Sequence, residues 1–240
     1  MKRDLLSLEN IAFGYAPEKT VFRDLSLSCG GGDIVGILGE NGAGKTTLFD
    51  IVSGGLPIDG GAIRDDMKPE QISYLQQVVT LPSALKMREV VEMVSCFQGI
   101  GRAETNARIE KYWSEAMLSR YRKIRDRRTG VCSYGEKRWL VVCAMLALGE
   151  DKKLFILDEP TAGIDVQHRF LIWELINKVR SDDRTFLISS HMVEEIEKNT
   201  DYFYFLNRRR AEKFPNMREF MRKYGADNAE DAFLNATVKS

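Results

Sequence analysis

Gly39-Glu40-Asn41-Gly42-Ala43-Gly44-Lys45-Thr46-Thr47 fits the pattern G-x-x-x-x-G-K-[ST], in which a glycine-rich loop cradles phosphate. Its surroundings agree. Ile34-Val35-Gly36-Ile37-Leu38 is a short apolar run bounded by glycines, as a buried parallel strand should be, and Thr46 to Ser53 has the composition of a helix that stops at Gly54-Gly55. A strand therefore passes through a glycine turn into a helix. Backbone N–H groups near Asn41, Gly42 and Gly44 can point inward only where side chains do not crowd them, and the helix dipole adds attraction for an anion at the same place. Gly39, Ala43 and Thr47 complete the binding stretch. Lys45 brings a point charge to the outer phosphates and reads as a surface-loop lysine with little role in the core. The Thr46 hydroxyl is placed to bind Mg²⁺.

The 240 residues suffice for one large domain or a domain with a subdomain, and 44% hydrophobic content supports a substantial core. With 35 basic and 35 acidic residues the formal charge is zero, so no general affinity for nucleic acid or an anionic membrane is expected. Cys29, Cys96, Cys132 and Cys143 form no C-x-x-C pair, which argues against a structural zinc site or a disulfide framework and for a reducing compartment. Met1-Lys2-Arg3-Asp4 leads into alternating residues rather than an apolar signal core. The longest apolar run, Leu140 to Leu148, is far short of the ~20 residues a membrane helix needs. Any membrane connection is expected through another chain.

Alternation places strands at Leu5 to Phe13 and Val21 to Ser28, with a Gly14-Tyr15-Ala16-Pro17 turn between them that puts Tyr15 at a strand end. Ala62 to Arg64 and Gln71 to Leu75 are short strands separated by a loop over 65–69, and the second runs into Gln76-Gln77. From about Val78 to Gly149 the spacing turns helical, with helices predicted over Lys86 to Gln98, Ala103 to Leu118 and Tyr134 to Leu148. Within this insertion, Arg120, Arg122, Lys123, Arg125, Arg127 and Arg128 stand against Asp126, a run read as a solvated face. Strands return at Lys153 to Leu157, Thr185 to Ser189 and Asp201 to Leu206, with helices at Val166 to Val179 and Met192 to Lys198. This βαβ alternation implies a parallel sheet with helices packed on it. The tail from Phe214 reads as one or two short helices.

Leu154-Phe155-Ile156-Leu157-Asp158-Glu159 is an apolar strand ending in two acids, which is how a phosphate-loop enzyme sets a carboxylate beside Mg²⁺. Alone, the pair would equally well cap the turn before Pro160. Together with the glycine loop, Asp158 reads as the holder of Mg²⁺ through water and Glu159 as the general base that deprotonates an attacking water. A base suited to water favours hydrolysis over transfer to a substrate hydroxyl.

From Tyr15 to His191 these elements resemble, in family order, an ATP-binding cassette (ABC) ATPase. The resemblance implies that Tyr15 stacks on adenine and that Gln77 is the loop glutamine that touches Mg²⁺ and senses a partner subunit. Cys132-Ser133-Tyr134-Gly135-Glu136 stands at the signature position, where Leu-Ser-Gly-Gly-Gln is commonest; Ser133 and Gly135 match, whereas Cys132, Tyr134 and Glu136 depart. Gly163-Ile164-Asp165 resembles the loop that carries an aspartate across a dimer, and His191 after Ser189-Ser190 resembles the switch histidine on the γ-phosphate. Ser133-x-x-Glu136 is at the same time a capping box for the helix that follows. His168 reads as a surface histidine.

The fold implied is α/β: a P-loop NTPase core, mainly parallel sheet flanked by helices, with antiparallel N-terminal strands. The core is expected over 1–77 and 150–213, an inserted helical subdomain over 78–149 and a helical tail over 214–240. The activity implied is Mg²⁺-dependent hydrolysis of ATP in sites completed by Ser133 and Gly135 of a second cassette, identical or a close paralogue. The role implied is that of the nucleotide-binding subunit of a transporter, exporter-like in its signature region, held on the cytoplasmic face by a membrane-spanning permease. The alternatives are a soluble cassette ATPase of repair, translation or cofactor assembly, a small-molecule kinase on the same loop, and a non-hydrolysing regulatory subunit.

Overall fold

The computed structural model describes residues 4–65 and 67–238. The expected non-signal start at 1–3, residue 66 of the expected 65–69 loop and the last two residues of the expected tail lie outside them. In chain order the elements are β1 (Asp4–Gly14), β2 (Thr20–Gly30), β3 (Ile34–Leu38), α1 (Lys45–Val52), β4 (Gly60–Asp65), β5 (Ile72–Leu75), α2 (Met87–Phe97), α3 (Arg102–Tyr112) and α4 (Glu115–Ile124). There follow α5 (Tyr134–Leu148), β6 (Leu154–Asp158), α6 (Val166–Val179), β7 (Thr185–Ser189), α7 (Val193–Asn199), β8 (Tyr202–Asn207), β9 (Arg210–Phe214), α8 (Met217–Tyr224) and α9 (Ala229–Val238). By their own contacts the described residues form two compact units: those of 4–76 with Lys153–Glu159 and 181–238, and Gln77–Lys152 with Pro160–Arg180.

The first unit is built on a six-stranded sheet of order β5-β6-β7-β3-β8-β9 and a three-stranded antiparallel sheet of order β2-β1-β4. The strands β5, β6, β7, β3 and β8 run parallel, and β9 closes the edge antiparallel to β8. Period-two alternation decides which layer each residue joins. On β8, Tyr204 and Leu206 pack with α1 and the three-stranded sheet, while Phe203 and Phe205 face α7, α8 and α9 through Ile196, Phe220 and Ala232. Both faces of β3 are thereby covered, and its five residues are all buried. The strand β9 escaped the sequence reading because Arg-Ala-Glu-Lys is a polar edge sequence with no apolar alternation.

The second unit is helical, and α6 belongs to it rather than to the strand core. The reason is packing: Trp139 of α5 meets His168 of α6 edge-on at 6.0 Å, and Gly135 lies against the backbone of Gly163. The single helix expected over Ala103 to Leu118 is two. The chain turns extended at Trp113, whose buried indole donates to the Cys143 carbonyl at 3.1 Å, and α4 begins after Ser114, which stands extended at the N-cap position without a side-chain capping bond. No helix among the described residues is long and apolar enough to cross a membrane.

Candidate nucleotide site

The glycine loop leaves β3 and enters α1 through Gly44, which stands at φ +100°. A Cβ at Gly44 would also lie 2.8 Å from Val21 and 2.9 Å from Phe22, so both conformation and space require glycine. The first turn of α1 carries no acidic residue and no side-chain cap, which leaves the positive helix end open to an anion. Within the loop, the Ala43 N–H turns onto the Glu40 carbonyl at 3.1 Å.

Lys45 is not a surface lysine. It is 7% exposed, and its ammonium donates to the Gly39 carbonyl at 2.7 Å and the Glu40 carbonyl at 3.0 Å. Burial pushes its pKa below the usual lysine range, against the opposing pull of the Glu159, Asp158 and Glu40 carboxylates. A phosphate dianion would add to the counter-charge that these carboxylates supply and offset the cost of burying the ammonium.

The ends of β6 and β7 complete the cluster. The Thr46 hydroxyl donates to Asp158 Oδ2 at 2.7 Å, and the Ser189 hydroxyl donates to Asp158 Oδ1 at 2.5 Å. Asp158 and Ser189 are register partners on adjacent parallel strands, which is why their side chains meet. The next residue, Glu159, stands at φ +49°, a left-handed conformation that costs a non-glycine residue on the order of 1 kcal/mol. Its side chain is 9% exposed and accepts from His191 Nδ1 at 2.9 Å, with the imidazole itself 58% exposed. Ser190 accepts from the Met192 N–H and donates to buried Glu195, which fixes the loop that presents His191. Thr46, Asp158, Glu159 and His191 are thus brought together.

The donor set suits Mg²⁺. Thr46 Oγ1 and Asp158 Oδ2 are two hard oxygens in contact, and Mg²⁺ takes one or two protein oxygens beside waters and phosphate. Tyr15 is 60% exposed, packs edge-on against Phe13 and hydrogen-bonds Thr47 Oγ1 at 3.1 Å, so an exposed aromatic face stands beside the loop.

The remaining expected residues lie in the second unit. Ser133 is the N-cap of α5: its hydroxyl accepts from the Glu136 N–H at 3.1 Å, and its own N–H donates to Glu136 Oε2 at 2.8 Å. A Cβ on Gly135 would lie 2.4 Å from the Gly163 carbonyl oxygen, so Gly135 permits a close backbone approach. The Gln77 carbonyl accepts from the Tyr134 hydroxyl at 2.9 Å and from fully buried Arg138 at 2.7 Å. Tyr134, a departure at the signature position, therefore anchors the glutamine loop.

His168 is not a surface residue either. Its side chain is 14% exposed, Nδ1 lies 2.5 Å from Asp165 Oδ1, and Nε2 lies 2.6 Å from Arg120 Nη1. A guanidinium can only donate, so Nε2 accepts and the proton sits on Nδ1. Burial would raise the Asp165 carboxyl, but hydrogen bonds from His168 and the Arg120 charge outweigh it and hold that carboxyl below its usual range. Arg120 also lies over the Trp139 ring, and Arg127 pairs with Glu136 at 2.7 Å. Part of the basic run is thus structural rather than a solvated face.

The model of the family described as ABC transporter matches residues 22–162, more than half of the chain. The chain belongs to the ABC transporter family. This ABC protein is 37% identical over 218 residues to "Protein McbF" of Escherichia coli, covering 90% of this chain and 88% of that one. It is 32% identical over 190 residues to the "Nod factor export ATP-binding protein I" of Paraburkholderia xenovorans, covering 75% and 61%. Its fold superposes with TM-score 0.80 on a structure described as the ATP-binding subunit of an ABC transporter, at 22% identity, covering 97% of this chain and 99% of the other. Within the family the chain is an ATP-binding subunit of the transport-powering kind, and such subunits are as a class nucleotide-binding ATPases. The soluble cassette ATPase of repair, translation or cofactor assembly finds no support.

Proposed function

We propose that this ABC subunit hydrolyses ATP to ADP and phosphate with Mg²⁺, in a head-to-tail pair of cassettes, and that the pair drives a membrane permease from the cytoplasmic face. The observation that carries the reading is the single contact chain of Thr46, Asp158, Ser189, Glu159 and His191 at the end of a helix left uncapped. Gly39, Asn41, Gly42, Ala43, Gly44, Lys45 and Thr47 hold the phosphates by backbone N–H groups, charge and hydroxyl, and Tyr15 offers its ring to the adenine. Thr46, Asp158 and Gln77 hold Mg²⁺, which when bound neutralises charge developing on the phosphoryl oxygens. Glu159 accepts the proton of the attacking water, and His191, already hydrogen-bonded to Glu159, orients that carboxylate and reaches the γ-phosphate. Ser133 and Gly135 of a second copy or close paralogue close each site. The permease docks on the helical unit near Gln77, and the name of the Nod factor export relative favours the exporter reading.

Phosphate release by the purified chain tests the chemistry, and sedimentation tests the pair. Glu159→Gln is expected to slow hydrolysis by about 10²- to 10⁴-fold while keeping nucleotide affinity, and to accumulate an ATP-bound dimer. Turnover near wild type in that variant would remove Glu159 as the base.

A further inference from the structure

The hydroxyl of Ser189 is an element of the site that the loop motifs do not announce. It is fully buried at the C-terminal end of β7 and touches both acids. It donates to Asp158 Oδ1 at 2.5 Å and accepts from the Glu159 N–H at 2.9 Å. A hydroxyl has one proton and two lone pairs, so one group makes both bonds without conflict. The two acids receive different things from it. Asp158 is held at its other oxygen by Thr46, and would stay oriented without Ser189. Glu159 receives a fixed backbone, at the residue whose φ of +49° is sparsely populated for glutamate. That conformation swings the carboxylate onto His191 Nδ1. A backbone twist of this kind persists only when its surroundings over-determine it.

We infer that Ser189 is a positioning residue for ATP hydrolysis: through the Glu159 N–H it holds the left-handed turn that aims the general base. The inference rests on the reading of Glu159 as that base. It assigns Ser189 to the chemical step and not to nucleotide binding, because the phosphate loop and Thr46 make no bond through it.

The test is Ser189→Ala in the full-length chain, alone and combined with Glu159→Gln. The expected result is a kcat lowered about 10- to 30-fold, within the reach of a misaimed base, and Mg²⁺-ATP affinity within about 3-fold of wild type. By NMR, the Glu159 amide should exchange at least about 10-fold faster once its buried acceptor is gone. Because Ser189 acts through Glu159, adding Ser189→Ala to Glu159→Gln should change the residual rate by less than about 2-fold. A kcat near wild type, or the same loss in both backgrounds, overturns the inference. Ser189→Cys, which fills the same space with a weak donor, is carried through the same cycle, so that a folding failure of the alanine variant leaves the comparison readable. If Glu159→Gln alone keeps full turnover, it is the reading of the base that has failed. The amide exchange still reports whether Ser189 holds the turn.

Discussion

The two units carry their assigned residues in opposite states. In the first, Lys45, Thr46, Asp158 and Glu159 stand at strand and helix ends around a helix terminus that no side chain caps. In the second, the Ser133 hydroxyl already caps α5, the Gln77 carbonyl already holds Tyr134 and Arg138, and Gly135 already makes room for Gly163. The strand unit therefore gathers its groups, already hydrogen-bonded to one another, round a helix end that no side chain caps, whereas the helical unit presents groups whose first duty is to fold it. Substitutions in the strand unit should separate activity from stability, and those in the helical unit should move the two together unless the replacement preserves the fold.

The largest separation is expected for Lys45→Ala. Removing the ammonium deletes the only charge the loop itself offers a phosphate, so ATP affinity or turnover should fall by at least about 10²-fold, as when one charge-stabilising donor is lost. The Glu40 carbonyl it serves belongs to an exposed residue but the Gly39 carbonyl is buried, so the cost to the fold should be about 1–3 kcal/mol, several degrees of melting temperature for a chain of this size. ATP titration and a melting curve measure both. An affinity within 3-fold of wild type would break the assignment of the loop.

Next comes Ser133→Asp, chosen because it preserves the cap. Aspartate is at least as good an N-cap as serine, and Arg127 lies beside the box to offset the added charge near Glu136, so stability should change by less than about 1 kcal/mol. In an ATP sandwich the new carboxylate would face a γ-phosphate, where like charges out of water are costly. Nucleotide should still bind each monomer, while ATP-driven dimerisation and turnover collapse. A stable ATP-bound dimer of Ser133→Asp with Glu159→Gln would leave Ser133 a helix cap and nothing more.

Gly135→Ala should do the opposite and strike the fold. Its Cβ would meet a backbone carbonyl at 2.4 Å, and backbone cannot swing aside as a side-chain tip can. A loss of about 1–3 kcal/mol is expected, read as a melting temperature lower by several degrees. An unchanged melting curve would show that the close approach to Gly163 is not needed.

The same contrast explains what could be read from the residues alone. The glycine loop was legible because its backbone geometry tolerates few residue types, and the strand ends at Leu38, Asp158 and Ser189 because five-residue buried runs have no other reading at that length. Ser189 was visible as a residue but not as a contact, since only the register of β6 on β7 sets it opposite Asp158. His168 gave no signal, because its meaning lies in Arg120, 48 positions away. The break at Trp113 was hidden for the same reason: helix spacing continues through it, and the indole's partner is the Cys143 carbonyl on another helix. Local pattern reaches as far as the backbone dictates side chains; contacts between distant elements lie beyond it.

The smallest effect, and the finest test of the helical unit, is Glu136→Gln, which restores the commonest residue of the signature position. Glutamine can keep the capping box, because its carbonyl accepts from the Ser133 N–H as the carboxylate does. What it loses is charge opposite Arg127, a partly exposed pair whose contribution should stay below about 1 kcal/mol at neutral pH. The pH dependence identifies that contribution. Burial tends to raise the Glu136 carboxyl, but the Ser133 N–H and the Arg127 guanidinium outweigh it and hold it below its ordinary value of 4.5. A carboxyl depressed on folding stabilises the protein fully above its unfolded value and loses that stabilisation as pH falls through the lowered folded value. The melting-temperature gap between wild type and Glu136→Gln should therefore be flat from pH 8 to about 6 and close as the solution is acidified below about 4.5. Other carboxylates, Asp165 among them, titrate in both proteins and cancel in the difference to the extent that they act independently of Glu136. A gap that stays constant or widens in acid would mean that Glu136 serves the cap alone and that its charge, like that of Arg127, is idle in the fold.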